Sequence, residues 1–402
     1  MITADGQEEA YTSADPMPIV GSVWNSGEPL HFSNVEPLAG FAAESAKDGQ
    51  QVKIWTKLAI TSDEPLFHLL VGNFVNVIRH MAQKEGVSAN LLRATRVLIV
   101  LKPDATAELW LDTAAVSIRC IAKRAIKAGT VVFEQDWADI TGMSFPCITF
   151  GPADKVLYLF RVDWRFGFAF DMNHEGDLDV EGFTKTLGSL FREMRYKHLY
   201  DAMNEPIVFD NLLAAGWFPF VEIITAEFRE LLEHCAAGFN ISEIEAGIIA
   251  KFDDFRMQHI LERWLNKPHF ATRMELLNAA IEAFRNREPI AVIKILLTEI
   301  EGVLNDAHRS VYDGQGAKLK ALLDFAEASA ERKAGGSNSL LFPKAFGRYL
   351  REHTFASFDP ISESGTAASR HAVGHGAASQ DSYTMLRALQ AILTLDQLAF
   401  YT

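Results

Sequence analysis

The chain has 402 residues, 49% of them hydrophobic and 22% charged, with a formal net charge of -14. That length predicts two domains, and the acidic balance excludes broad electrostatic binding of duplex DNA, which needs a basic face. Apolar runs fall short of the roughly 18–20 residues a membrane span needs, so no membrane partner is expected. The acidic start shows no basic-then-apolar signal pattern, and three well-separated cysteines (Cys120, Cys147, Cys235) form no CxxC pair. A disulfide framework and a thiolate zinc site are both disfavoured, and a reducing cytoplasm is expected.

Residues 1–17 read as a disordered leader. Residues 18–182 mix strand and helix signals. "QVKIWTKLAI" (51–60) alternates like a strand, and "LFHLLVGNFVNVIRHMAQKEG" (66–86) reads as a helix ended by Gly86. Strand-sized pieces follow at 94–104, 107–113, 117–122 and 130–136. "DKVLYLFRVDWRFGFAFDMN" (154–173) reads as two aromatic-rich strands. This half is expected to be an α+β domain with a mostly antiparallel sheet.

From 183 to 402 the spacing turns helical. Helices are expected over 183–205, 226–239, 242–267, 272–286, 289–309, 316–332, 342–353 and 381–400. Ser242 with Glu245 three residues on has the form of a capping box, and Pro289 sits at a first-turn position. Ile293, Leu296, Leu297, Ile300, Val303 and Leu304 fall on one stripe. In the last helix Met385, Leu386, Leu389, Ile392 and Leu393 define an apolar face. The second half is therefore expected to be an all-α helical bundle.

The acidic run "DMNHEGDLDVEG" (171–182) matches part of a calcium-loop register. Its twelfth position is Gly182 instead of a bidentate Glu, so it reads as a solvated acidic turn. "DGQGAK" (313–318) is too short for a phosphate-binding Walker loop, and no HExxH or GxSxG occurs. No metal and no cofactor is expected. "AAGWFPFVEI" (214–223) offers an apolar contact for a partner if Trp217, Phe218 and Phe220 are exposed; otherwise they are core.

Arg370 and His375 carry the remaining chemistry. Similar gaps join Arg348 to His353, Arg192 to His198 and Arg263 to His269; each of these reads most simply as a solvated polar face. The 370–375 pair differs in context. His371 follows the Arg at once, His375 lies between Gly374 and Gly376, and the segment runs directly into the last helix. An imidazole that takes a 2′-hydroxyl proton and a guanidinium that holds a phosphate are the parts of a metal-free RNA-cleaving site. Glu299 and Glu301 are candidates to line the same cleft, or else are solvated helix charges. Between residues 340 and 402 five basic residues are matched by five acidic ones, a neutral balance that suits a basic RNA cleft poorly.

"SRHAVGHG" (369–376) resembles the Arg-x4–6-His signature of the HEPN superfamily (higher eukaryotes and prokaryotes nucleotide-binding), and "ILLTEIEGVLND" (295–306) resembles a segment found upstream of it in bacterial members. The resemblance covers roughly the C-terminal half. It implies a HEPN-like bundle that forms a homodimer and cleaves single-stranded RNA without a metal, in toxin–antitoxin, abortive-infection or other defence roles. A neutralising protein partner would accompany a toxin. It assigns Arg370 as phosphate binder, His375 as acid/base and His371 as supporting polar residue. The alternative is a HEPN-like interaction or nucleotide-binding protein without catalysis.

Overall fold

A computed structural model describes residues 27–86, 91–173, 176–334, 336–357, 366 and 368–402; the leader expected at 1–17 lies outside them. In chain order, β1 (Leu30–Phe32), β2 (Ala42–Ala43), β3 (Ile54–Trp55) and β4 (Lys57–Thr61) lead into α1 (Pro65–Lys84). Then come β5 (Arg96–Leu101), β6 (Ala107–Leu111), β7 (Ser117–Ala122), β8 (Trp137–Ser144), β9 (Lys155–Val162) and β10 (Arg165–Asp171). The helices that follow are α2 (Val180–Arg195), α3 (Lys197–Asn204), α4 (Pro206–Ala214), α5 (Ala226–Ala237), α6 (Ser242–Lys251), α7 (Asp254–Leu265) and α8 (Pro268–Ala271). The chain closes with α9 (Met274–Arg285), α10 (Pro289–Val311), α11 (Leu319–Ala334), α12 (Pro343–Tyr349), α13 (Arg370–Gly374) and α14 (Met385–Tyr401). The first half is thus α+β and the second helical. No helix among the described residues is long and apolar enough to cross a membrane.

Six strands form an antiparallel sheet in the order β1-β6-β5-β9-β10-β4. Its central strands β5 and β9 are apolar on both faces because both faces are covered. Side chains alternate across a strand, so Val97, Ile99, Leu157 and Leu159 meet α1 through Phe67, Phe74 and Ile78. Leu98, Val100, Val156, Tyr158 and Phe160 point the other way, to Phe183, Leu187 and Leu190 of α2. Helix α2 also crosses β8, and Ala138 and Ile140 of β8 join the core of the bundle. The β7–β8 ribbon therefore touches both cores.

Several expectations came out differently, among them the helix over 183–205, which is split at Tyr196 into α2 and α3. Residues 130–136 are not a strand: they form a loop ending in a 3₁₀ turn at Glu134–Asp136, with Val131 and Phe133 exposed. Strand propensity expresses fit to a partner's surface, and β7 takes 137–144 as its partner. The helix expected over 242–267 breaks at Phe252, and Asp253 starts α7 by accepting the Arg256 N–H at 2.9 Å. Ser242 does not cap α6; Glu245 instead accepts from the buried Trp217 indole at 2.9 Å. A buried indole N–H needs an acceptor, and that need outweighs a local cap.

The stripe predicted on α10 is buried throughout, and α10 packs on α9, α11, α13 and α14. Helix α14 is buried all round from Ala388 to Tyr401, not on one face alone. Several of its polar side chains have partners. Trp264 donates to Asp396 at 3.1 Å, Gln397 accepts from Val221 N at 2.8 Å, and the Thr394 hydroxyl donates to the Gln390 carbonyl at 2.7 Å. Trp217, Phe218 and Phe220 are at most 1% exposed, so 214–223 is core and not a docking surface. In the acidic run, Asp171 pairs with Lys57 at 2.9 Å and Asp179 caps α2; Glu175 lies outside the described residues.

Candidate functional site

Arg370, His371 and His375 lie on one short piece of chain. Ser369 caps α13, accepting from Ala372 N at 3.4 Å and donating to the Ala356 carbonyl at 2.8 Å. That second bond moors the start of α13 to the end of the α12 segment. Ala372 and Val373 are buried and fix the helix against α10. Arg370 is the first residue of α13, and His375 is its C-cap, exposed to solvent. The imidazole is therefore at the end of its own short helix, and α14 begins only at Met385; it does not sit at the start of the last helix, as chain order suggests. His371 is half-buried.

The Arg370 guanidinium meets α10. Its Nη2 forms an ion pair with Glu301 at 2.7 Å, with both side chains about one-third exposed (32% and 31%). Its Nε is buried and has no hydrogen-bond partner among the described residues. Glu301 is thus the carboxylate that joins the motif. Glu299 turns to Arg273 instead, at 2.5 Å, and Arg273 also holds Asp306 at 2.6 Å. The structure pairs Arg370 with Glu301 on the face of α10, and it carries His371 and His375 on the same short helical segment as Arg370.

Of the other Arg/His pairs, Arg192 and Arg263 do not lie on solvated faces, whereas Arg348 does. Arg192 is 4% exposed and bridges the sheet to the bundle, donating to Tyr200 Oη at 3.0 Å and to the Ile140 and Asn338 carbonyls. Arg263 is half-buried between Glu222 (2.8 Å) and Asp396 (3.2 Å). Arg348 is a surface residue, joined to Asp210 at 2.7 Å and Glu352 at 2.8 Å. Its partner in spacing, His353, is the residue that sequence reasoning missed.

After α12 the chain widens into a π-helical turn, Leu350–Thr354, closed by Phe355 N–H to the Leu350 carbonyl at 2.7 Å. π-turns are rare and concentrate at functional sites. This one carries His353, stacked on Tyr349 with ring centroids 4.9 Å apart. Arg387 of α14 donates to His353 Nε2 at 3.2 Å, to Gln390 Oε1 at 2.6 Å and to the Ala215 carbonyl at 3.2 Å. An arginine can only donate, so Nε2 accepts and the ring is neutral with its proton on Nδ1. That Nδ1 is buried and unpartnered among the described residues. Burial, then the Arg387 charge, push the imidazole pKa down to about 3. Gly216, at φ 78°, passes so close that a Cβ there would strike Arg387, His353 and Gln390. Only glycine fits that crossing. The cluster lies behind the motif: Ala368, just ahead of α13, lines the same small interior space as His353 and Arg387. No sequence signal marks His353, because its hydrogen-bond partner Arg387 is 34 residues away.

No family model, curated protein or solved structure matches the chain.

Proposed function

We propose that the chain is a metal-independent endoribonuclease of HEPN type that acts as a cytoplasmic homodimer on single-stranded RNA, in a toxin or phage-defence role. One observation carries the reading. Arg370 is anchored to Glu301 through a single nitrogen, and His375 stands in solvent at the other end of the same helical turn. Anchored in this way, the guanidinium keeps further N–H groups for a phosphate, and its position is set before substrate arrives. An imidazole removes the proton from a ribose 2′-hydroxyl. The 2′-oxygen attacks phosphorus, Arg370 steadies the added charge, and the 5′-oxygen leaves with a proton, giving a cyclic phosphate end and a 5′-hydroxyl. His371 supports the pair. Two copies facing each other would place a second Arg/His set across the cleft.

The test is cleavage of single-stranded RNA by the purified chain in EDTA, with light scattering to weigh the particle. His375→Ala and Arg370→Ala are each expected to slow cleavage by about 100-fold or more, the usual size of a general acid–base or charge contribution. Wild-type rates in His375→Ala, or a strictly monomeric particle, would remove the reading. The Glu301 pair also favours a second one, in which Arg370 only locks α13 onto α10 in a non-catalytic interaction module. Arg370→Ala and Glu301→Ala would then lower the melting temperature alike and change no RNA.

A further inference from the structure

A cavity of about 440 Å³ lies between the 123–136 loop, which joins β7 to β8, and the bundle. Its inner wall is a half-buried charge cluster. Arg256 is held by Glu227 at 2.8 Å and by Glu222 at 3.1 Å, and Arg263 by the other oxygen of Glu222 at 2.8 Å. Behind them Asp396 of α14 meets Arg263 at 3.2 Å, and burial pushes its carboxyl pKa up. Glu222, Glu227 and Asp396 are therefore already committed to arginines, and Asp253, which also lines the cavity, accepts the Arg256 backbone N–H as the cap of α7. Arg124 at the rim is likewise committed, to Asp136.

Lys123 is not. It lines the cavity, it is 9% exposed, and its ammonium makes no ion pair or hydrogen bond among the described residues. Burial is the largest influence on it, pushing the pKa down to about 8 even with Glu222 in range. A desolvated cation without a counter-ion is costly, and proteins keep one where something else supplies the anion. Lys251 adds a second cation at the outer edge, and Phe255 presents an exposed ring there, edge-on to His259 at 4.2 Å. The volume is in the range of small-molecule sites, larger than a bare oxyanion needs.

We propose that this cavity binds a small organic phosphate, its phosphoryl group on Lys123 and its organic part toward Phe255. The arginine forks, which would suit a planar carboxylate, are occupied by Glu222 and Glu227; a compact ammonium point charge suits a tetrahedral phosphate. The proposal is independent of the Arg370/His375 reading, because no residue is shared between the two sites.

Phenyl phosphate is the probe, added to the full chain at constant ionic strength and followed by calorimetry and thermal melting, with benzoate as the carboxylate control. Binding is expected in the wild type and is expected to fall at least about tenfold in Lys123→Met, the effect of losing one charged contact. Lys123→Met should itself melt no lower than wild type, since it removes an uncompensated buried charge. Should that variant fail to fold, the Lys123 ammonium resonance of the wild type decides: it moves on adding phenyl phosphate if the proposal holds and stays if it does not. No binding by the wild type, equal binding by Lys123→Met, or benzoate binding as tightly as phenyl phosphate would each overturn it.

Discussion

His353 is a neutral imidazole packed beside a permanent cation, and this sets how the chain answers acid. In the unfolded chain the ring takes a proton near pH 6.5, whereas in the fold it holds out to about pH 3. Below 6.5 the unfolded state therefore binds more protons than the folded one. The stability this ring contributes is complete above pH 6.5 and drains as pH falls toward 3. The drain approaches about 1.4 kcal/mol per pH unit for one proton. His353→Gln keeps an acceptor for Arg387 and cannot titrate. Urea midpoints at pH 7, 5.5 and 4 should fall more steeply for wild type than for His353→Gln. Parallel curves would mean that the ring is not held neutral. The same cluster bears on the motif, because Ala368 and Ser369 lead from it into α13.

At the scale of elements, the crossing of α2 over β8 is a backbone contact. A Cβ on Gly188 would meet backbone atoms of Gly142 closer than any real side chain does. Intrinsic propensity favours Ala over Gly in a helix by about 1 kcal/mol. Overpacking costs about 1–3 kcal/mol, and here main chain on both sides leaves nothing soft to yield. Gly188→Ala should therefore destabilise in urea titration. Gly72→Ala in α1, where a Cβ meets open space, should gain stability from propensity alone. If both substitutions moved the midpoint upward, the helix would not be seated on Gly142. Contacts of this kind explain what was legible in the sequence. Gly86 and Pro289 mark helix ends through local chemistry, and the buried stripe of α10 is read from period alone. The break at Phe252, the loss of the Ser242 cap to Trp217 and the retreat of 130–136 from the sheet are decided by partners distant in the chain. For the candidate site, spacing and glycines drew attention to Arg370 and His375. Glu301 could be named only as one of two candidates, and His353 was dismissed as surface, because its burial comes from α14 and Gly216.

For the molecule as a whole, the sheet and the bundle are joined through Arg192. From α2 it reaches β8 at Asp139 (3.4 Å), Tyr200 of α3 and the Asn338 carbonyl ahead of α12. Asp139 also accepts the Leu340 N–H at 3.2 Å, so two segments 201 residues apart share one carboxylate. Burial pushes the Asp139 pKa up to about 6, and the Arg192 charge acts against that rise. A buried pair of this kind adds little net stability, but losing one partner costs about 3–5 kcal/mol because the other charge is stranded. Arg192→Met should show a loss of that order at pH 7. The loss has a pH signature. With a folded-state pKa above the ordinary 3.8, Asp139 binds its proton more readily in the fold than in the unfolded chain. Its burial is fully tolerated below 3.8 and costs stability as pH rises through about 6. Without Arg192 the carboxyl rises further still, so the deficit of Arg192→Met against wild type should shrink between pH 7 and pH 5. Arg192→Met with Asp139→Asn should recover part of the loss at pH 7 and show little of that pH dependence. A deficit that is the same at both pH values, and unrelieved in the double variant, would mean that the two halves are held together by apolar packing around Ala138 and Ile140 and not by this charge pair.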